Sequence, residues 1–440
     1  MSAPLGWLVL VAVGSPAILF ALLGGASLVS RPLPERWTAA LAGTAMTVAC
    51  GALSVALVVH GTTATGIRLL SYGGWSDSYA GGITIEFLVD RLSLAFAALS
   101  AAILGIVSAF SNRYLHREAG YNRYFVLLAM FATGMLLVAL AGNVEVLFVG
   151  WELVGLSSAL LVGFFHERPA PVSNALRVFT VYRISDAAML SAAVLLRHIA
   201  GTDSLALLFS GVRALSTVGL TQTSTTMIAV LLIVAVAGKS ALLPFSGWLP
   251  RAMEGPTPSS AVYYGSLSIH AGCFLLLRAA PLLEHSVAAR LLAGGLGAIT
   301  AIFAAVTTRV QSDVKSSLAY AALTQVGIIV VEISIGWYTI AFVHLAGHAC
   351  FRLLQFLSAP NVLHDLHGME DAIGGRPAPS ASLFLIAIER GFLDSVLDRV
   401  VVDPFTRFAR RLTRLDLWLC DAVIPAERPA WVEGGEDQDE

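Results

Sequence analysis

The sequence predicts an all-α, polytopic integral membrane protein, and three observations carry that reading. Of the 440 residues, 57% are hydrophobic and 13% are charged, against about 25% charged in ordinary soluble domains. Apolar runs of bilayer length, roughly 17–25 residues, recur along most of the chain. The formal charge is only −2, which argues against nucleic acid as a partner. A hydrophobic excess of this size, with a mean hydropathy of +0.77, is solvated by lipid. Cys50, Cys273, Cys350 and Cys420 lie far apart without a CxxC or Cys/His cluster, so neither a disulfide framework nor a zinc site is indicated.

The first run, 5–29, is too long for a signal-peptide core and lacks a basic lead, so it reads as the first span. Ten more follow near 37–60, 91–111, 123–142, 144–165, 172–196, 226–248, 257–282, 287–307, 315–333 and 337–359, giving about 11 transmembrane helices. The early loop 61–90 contains Tyr72-Gly-Gly-Trp-Ser-Asp and the alternating Ile83-Thr-Ile-Glu-Phe, which predicts a small hairpin at the membrane surface. Nine loop cations fall on the side of Arg31 and Arg36 and five on the other. That places the N-terminus outside and the C-terminus in the cytoplasm. Beyond Pro360, residues 383–403 and 405–420 set apolar faces against arginines and aspartates. They predict amphipathic helices broken at Pro404, suited to the membrane surface or a partner groove. Glu433 to Glu440 reads as a disordered acidic end. The domain reading is 1–122 for N-terminal helices with the hairpin, 123–282 and 283–365 for two helical blocks, and 366–440 for the cytoplasmic tail.

Ionisable side chains inside the apolar runs are the functional signal, because each costs roughly 2.5–3.5 kcal/mol even on the lenient insertion scale. The fifth run carries Glu152 within Gly150-Trp-Glu-Leu-Val-Gly-Leu-Ser-Ser, and the sixth carries Arg177, Arg183 and Asp186. Arg183 and Asp186, three apart, can pair on one helix face, and either arginine could reach Glu152. The plain structural alternative is an ion pair that locks two helices. The seventh run holds Lys239 in Val236-Ala-Gly-Lys-Ser-Ala-Leu-Leu-Pro. Of 27 Lys+Arg residues only Lys239 and Lys315 are lysines. A buried amine can take up and release a proton, whereas a guanidinium stays charged. Lys239 is therefore the first candidate for a proton relay, against a snorkelling or purely structural role. Pro244 lacks a backbone donor, so the helix is expected to break there.

Further along, Glu254 in Trp248-Leu-Pro-Arg-Ala-Met-Glu-Gly-Pro-Thr-Pro could gate an inner half-channel. Tyr264, Ser266, Ser268 and His270 of the eighth run could line a hydrated path from Lys239. A hydrogen-bonded core histidine is the alternative for His270. His344 and His348 share one helix face, with Arg352 a turn further. No third metal ligand lies nearby in sequence, so a chain of titratable groups fits better than a metal site. Gln311, Asp313 and Lys315 read as an entrance cluster or an ordinary interfacial cap. The chain offers no nucleophile–base pair, phosphate loop or ligand set. No catalytic or metal-binding residue and no cofactor are expected in it.

Taken in order, these motifs resemble the proton-translocating subunits of respiratory complex I and the Mrp-type cation/proton antiporters, most closely the chain 5/subunit L family. The resemblance covers roughly 80–365. It rests on Gly-Trp-Glu-x-Val-Gly-Leu-Ser-Ser at 150–158, Arg-Ile-Ser-Asp at 183–186, Gly-Lys-Ser-Ala at 238–241, Trp-Leu-Pro-x-Ala-Met-Glu-Gly-Pro-Thr-Pro at 248–258, Asp-Val-Lys-Ser-Ser-Leu-Ala-Tyr at 313–320 and His-Leu-x-x-His-Ala-x-Phe at 344–351. The resemblance implies an antiporter-like fold with a broken helix, a coupled glutamate and lysine at Glu152 and Lys239, and central histidines at His344 and His348. It departs at Tyr264, where the family has histidine, and at Arg352, where lysine is usual. The resemblance further implies a core of two inverted five-helix repeats; matched to it, the first repeat, spans four to eight, is complete and the second stops after three helices.

That shortened form is similar to the membrane subunit of DAB-type inorganic-carbon accumulation complexes. The similarity implies a large cytoplasmic, zinc-containing, carbonic-anhydrase-like partner docked on the amphipathic tail, coupling ion flow to CO2 hydration in a bacterial inner membrane. The alternative is a proton-pumping subunit of a complex I or hydrogenase-type redox complex, whose partners are other membrane subunits. A non-conducting scaffold with structural ion pairs is the third reading.

Overall fold

The computed structural model describes residues 3–63, 66–74, 84–202, 204–208, 219–311, 313–359 and 396–423. Two compact units divide at Leu393 and Asp394. The first contains eleven helices long and apolar enough to cross a membrane. They are α1 (Ala3–Leu28), α2 (Glu35–Thr63), α3 (Arg91–Tyr114), α4 (Tyr121–Leu140), α5 (Val144–Val162) and α6 (Pro169–Ala200). There follow α7 (Gln222–Lys239), α8 (Thr257–Arg278), α9 (Val287–Thr308), α10 (Val314–Ser334) and α11 (Tyr338–Leu357). The protein is all-α and multi-pass, as the apolar runs predict.

The hairpin is present as β1 (Arg68–Gly74) paired antiparallel with β2 (Thr84–Val89), with Arg68 opposite Val89. Trp75, Ser76 and Asp77 of the quoted loop motif lie outside the described residues. Tyr72 anchors β1 to α1 by donating its hydroxyl to the Gly6 carbonyl at 2.8 Å.

Without water to drive association, membrane helices pack by close backbone approach at small residues. Gly134 of α4 and Gly150 of α5 face each other so closely that a Cβ on either would lie 2.8 Å from the other's carbonyl oxygen. Gly297 and Gly327 do the same for α9 and α10. These two crossings fix α5, which carries Glu152, and α10, which borders the second polar cluster. α8 is buried from 257 to 277 and lies among the polar helices. It is not a regular helix: Ser260–Ser266 forms a π-helix before the α-geometry resumes at Ser268. Such wide turns loosen the carbonyl ladder and concentrate at functional positions.

Asp90 ties the hairpin end to α8. It caps α3 by accepting from the Ser93 N–H at 2.7 Å, and it receives both Arg278 Nη1 and Nη2, at 2.5 and 3.1 Å. Burial works to raise the Asp90 carboxyl, but the bonds and charge of Arg278, with the Ser93 N–H, outweigh it and hold the carboxyl below its ordinary range.

The second unit is described over 396–423. A π-turn at Asp398–Val402 leads into α12 (Asp403–Val423). Pro404 does not break the helical run. It is the second residue of α12, directly after the π-turn. The predicted helix over 383–403 falls mostly outside the described residues, as does the acidic end 433–440. Within α12, Phe408, Leu412, Leu415 and Leu419 form an exposed apolar stripe, with Arg407, Arg410, Arg411 and Arg414 beside it.

Two outcomes follow from this packing. Gly150→Ala lowers stability by about 1–3 kcal/mol in denaturant unfolding in detergent, because its Cβ meets backbone that cannot swing away. Gly43→Ala, whose Cβ would meet nothing within 4 Å, leaves stability unchanged. The Asp90–Arg278 contribution is complete at neutral pH, since the folded value lies below the unfolded one. It is lost as pH falls through that depressed value. The melting temperature of the wild type should therefore fall across the acidic range, and that of Asp90→Asn should change less.

Candidate functional site

The first polar cluster forms where α7 stops. The predicted seventh segment ran to 248 with a break at Pro244, but the helix ends on Lys239 itself. The cause is local. The Trp248 Nε1 donates to the Gly238 carbonyl at 3.0 Å, taking the acceptor that a continuing helix would give to Leu242. Leu242 N–H turns back to the Ala237 carbonyl at 2.9 Å. Ala241 adopts φ +55°, and Leu243 N–H donates to Thr300 Oγ1 of α9 at 3.1 Å. Lys239 thus occupies the last position of a helix, the end at which the aligned peptide dipoles present their negative pole and favour a cation.

Its side chain is wholly buried. Nζ donates to the Trp151 carbonyl at 3.2 Å and lies 4.9 Å and 4.3 Å from the ring centres of Trp151 and Tyr182. Gly155 leaves the space for it: a Cβ there would sit 2.8 Å from Nζ. Of the two arginines that the sequence offers as partners of Glu152, Arg183 is the one that meets it, and Glu152 does not touch Lys239. Glu152 Oε2 pairs instead with Arg183 Nη2 at 2.5 Å, and the same nitrogen lies 2.8 Å from Asp186 Oδ2. Asp186 Oδ1 accepts from Trp151 Nε1 at 2.6 Å. The acid and the amine therefore connect through a chain, Glu152–Arg183–Asp186–Trp151–Lys239, with Trp151 as the joint. Arg177 is buried one to two turns earlier on α6, and Arg183 is the arginine that reaches Glu152.

The second cluster lies between α8, α10 and α11. His270 Nε2 and His348 Nδ1 are 2.9 Å apart. Arg352 Nε donates to His348 Nε2 at 3.1 Å, and its Nη1 donates to Gln355 Oε1 at 2.6 Å. Arg352 makes no ion pair with a described residue, so the ion-pair role expected of it is not what its contacts are. His344 faces Glu332 of α10 through Nδ1 at 2.9 Å and Gln325 through Nε2 at 3.1 Å. A cavity of about 340 Å³ lined by Gln325, His344, His348 and Arg352 opens on this face.

α8 spans the interval between the clusters. Tyr182 faces Ser268, and His270 Nδ1 faces the Ser266 backbone, but neither pair closes a well-formed bond. The Ser260 and Ser266 hydroxyls are likewise buried without a protein partner. Buried polar atoms of this kind are ordinarily met by ordered water. Tyr264, expected on this path, is committed elsewhere: its hydroxyl donates to the Ser158 carbonyl at 3.1 Å.

Other expected residues lie apart. Glu254 ends the short turn Ala252–Glu254 and forms no ion pair with a described residue. Asp313 accepts from the Ser316 N–H at 2.8 Å, the ordinary helix cap that was the alternative for it, and Lys315 sits in the first turn of α10. Among the described residues no group of three His, Cys, Asp or Glu is placed to hold a metal. Sequence reasoning passed over Trp151, Glu332, Gln325 and Gln355. Glu332 interrupts the run Ile328 to Ile333 and answers to the same rule that selects Glu152. The glutamines and the indole carry no such signal.

Comparison with known proteins gives a consistent picture. A family described as NADH:quinone oxidoreductase/Mrp antiporter, TM, matches residues 141–374, and one described as NADH-ubiquinone oxidoreductase (complex I), chain 5 N-terminus, matches 75–125. NADH-quinone oxidoreductase subunit L of Mycobacterium tuberculosis is 34% identical over 66% of this chain and 46% of its own length. NADH-ubiquinone oxidoreductase chain 5 of Hylobates lar is 33% identical over 69% and 49%. The chain thus spans about half the length of these relatives. The Mrp complex from Dietzia sp. contains a chain that superposes with a TM-score of 0.67 at 30% identity, over 80% of this chain and 37% of that one. A chain of an archaeal membrane-bound sulfane sulfur reductase shares the fold, with a TM-score of 0.69 at 17% identity over 80% and 70%.

Replacing the joint is the sharpest test of the first cluster. Trp151→Phe keeps an aromatic face and the carbonyl but leaves Asp186 Oδ1 without its donor, so unfolding measurements should show a loss of about 1–3 kcal/mol. Adding Asp186→Asn should cost less than the sum of the two single changes.

Proposed function

The chain belongs to the NADH:quinone oxidoreductase/Mrp antiporter family, and from that premise we propose that it is a proton-translocating, antiporter-like subunit of a multi-subunit membrane complex. The observation that carries the proposal is Lys239: a primary amine, wholly buried, held by a carbonyl and two ring faces instead of a direct carboxylate. Such an amine can exist in both protonation states. The Glu152–Arg183–Asp186–Trp151 chain couples its charge to a carboxylate that is about one quarter exposed. Protons pass between Lys239 and His348 along the polar side of α8, through Tyr182, Ser268, Ser266 and His270. The cavity beside His344 and Arg352 is the mouth of that path, with Glu332 holding His344 ready.

The named relatives favour a redox or Mrp-type assembly, so partnership with other membrane subunits of a complex I-like complex is our first reading. The inorganic-carbon reading, with a zinc-containing cytoplasmic partner, stands second. One feature favours it, the exposed apolar stripe and arginines of α12, which a soluble partner would cover. Copurification separates the two: a zinc-bearing soluble protein supports the second reading, and quinone-linked membrane subunits support the first. We place the chain in a bacterial inner membrane with its N-terminus outside.

Reconstituted in liposomes within its complex, the wild type should carry protons. Lys239→Ala should reduce flux on the order of a hundredfold, the lower range for loss of a positioned proton-transfer group. Lys239→Arg should fail nearly as badly, because it keeps the charge but does not release the proton. Sustained flux in Lys239→Arg would mean that the position needs only a fixed charge.

A further inference from the structure

The second cluster contains a group that cannot take part in proton exchange and yet touches one that can. A guanidinium has N–H donors and no acceptor. Arg352 Nε therefore gives its hydrogen to His348 Nε2 at 3.1 Å, and that nitrogen must offer its lone pair. A neutral His348 then carries its hydrogen on Nδ1, the nitrogen 2.9 Å from His270 Nε2. His270 accepts there, so its own hydrogen lies on Nδ1, directed toward the Ser266 backbone. One donor-only side chain fixes two tautomers in succession.

We propose that Arg352 is a positioning residue that sets the direction of the His348–His270 relay and gates its reloading. The idea rests on the reading that these histidines carry protons. Reloading needs a proton at His348 Nε2, the atom Arg352 occupies, so the guanidinium must first swing off. The imidazolium so formed passes its Nδ1 proton to His270 Nε2, and His270 releases its Nδ1 proton toward Ser266. One proton enters and one leaves. Both rings then hold hydrogen on Nε2; the starting tautomers return only when each ring gives up its Nε2 hydrogen and takes one at Nδ1 by exchange with water, which leaves the proton count unchanged, and Arg352 then closes again on the bare His348 Nε2.

Several features make Arg352 suited to the task. It is buried, and Gln355 Oε1 braces its Nη1 at 2.6 Å. It borders the cavity of about 340 Å³ that gives it room to move. The groups facing His348 are His270 from α8 and Arg352 and His344 from its own helix. His344 in turn is occupied by Glu332 and Gln325 of α10. A lysine in place of Arg352 could lose its proton and become an acceptor; an arginine holds the lock at every physiological pH.

The test is nitrogen NMR of the full chain in its complex, with histidine labelled and the His270 and His348 signals assigned by single His→Gln variants. The wild type should show both rings with hydrogen on Nδ1 and a bare Nε2. Arg352→Met should shift the His348 tautomer ratio toward Nε2–H by on the order of tenfold, as expected for loss of one charge-assisted hydrogen bond. Gln355→Ala, which removes only the brace, should shift it the same way by less, and serves if the first variant fails to fold. A wild-type His348 with its hydrogen on Nε2, or a ratio indifferent to both variants, would overturn the proposal. Because the readout is a spectrum and not a flux, it fails independently of the transport reading tested at Lys239.

Discussion

An ionisable group within a bundle that faces lipid must be solvated by the protein itself, and the arrangement of this chain follows from how Lys239 meets that demand. Its amine receives one carbonyl, two aromatic faces and the negative end of its own helix. None of these neutralises it as a contacting carboxylate would. The nearest acids are spent on Arg183, and the tryptophan between them passes on only a share of their field. The amine is thus solvated by dipoles and ring quadrupoles and is not locked in an ion pair. The break after Lys239, the glycine opposite it and the placement of Trp151 all serve that one condition.

The same economy shapes the second cluster. Six polar side chains from three helices share hydrogen bonds in which each histidine nitrogen but one has an assigned partner. α8 joins the clusters, and its π-turn is the departure that brings Ser266 and His270 into line. A regular helix through 260–266 would rotate the following residues away from α11 and separate His270 from His348. Irregular backbone of this kind is tolerated in a membrane only where protein surrounds it, and α8 is enclosed from 257 to 277.

Much of this was legible in the sequence. Runs of apolar residues located all eleven spans, because helix is the only unclosed form that satisfies its own backbone in lipid. Misplaced charge marked Glu152, Arg183, Asp186, Lys239 and the histidines of α11. What the sequence did not disclose is pairing. Spacing along one helix allows Arg183 to meet Asp186, but only the crossing at Gly134 and Gly150 settles that Glu152 completes the trio. The end of α7 was misjudged because Pro244 is the visible breaker, whereas the acceptor of Gly238 is removed by an indole ten residues on. Tyr264 was assigned to the path on its position alone, and its hydroxyl is held by a carbonyl of α5. Family resemblance pointed to residues but not to these contacts, and at 352 the chain has arginine where the resemblance leads one to expect lysine.

The central claim is that the Lys239 amine changes charge under the influence of the carboxylate it does not touch. Nitrogen NMR of the labelled lysines, only two in the chain, follows that amine directly through a pH titration in nanodiscs. The account predicts that Lys239 titrates reversibly and that its midpoint moves when Glu152 is replaced by Gln. An amine that stays protonated throughout, or a midpoint indifferent to Glu152, would contradict it.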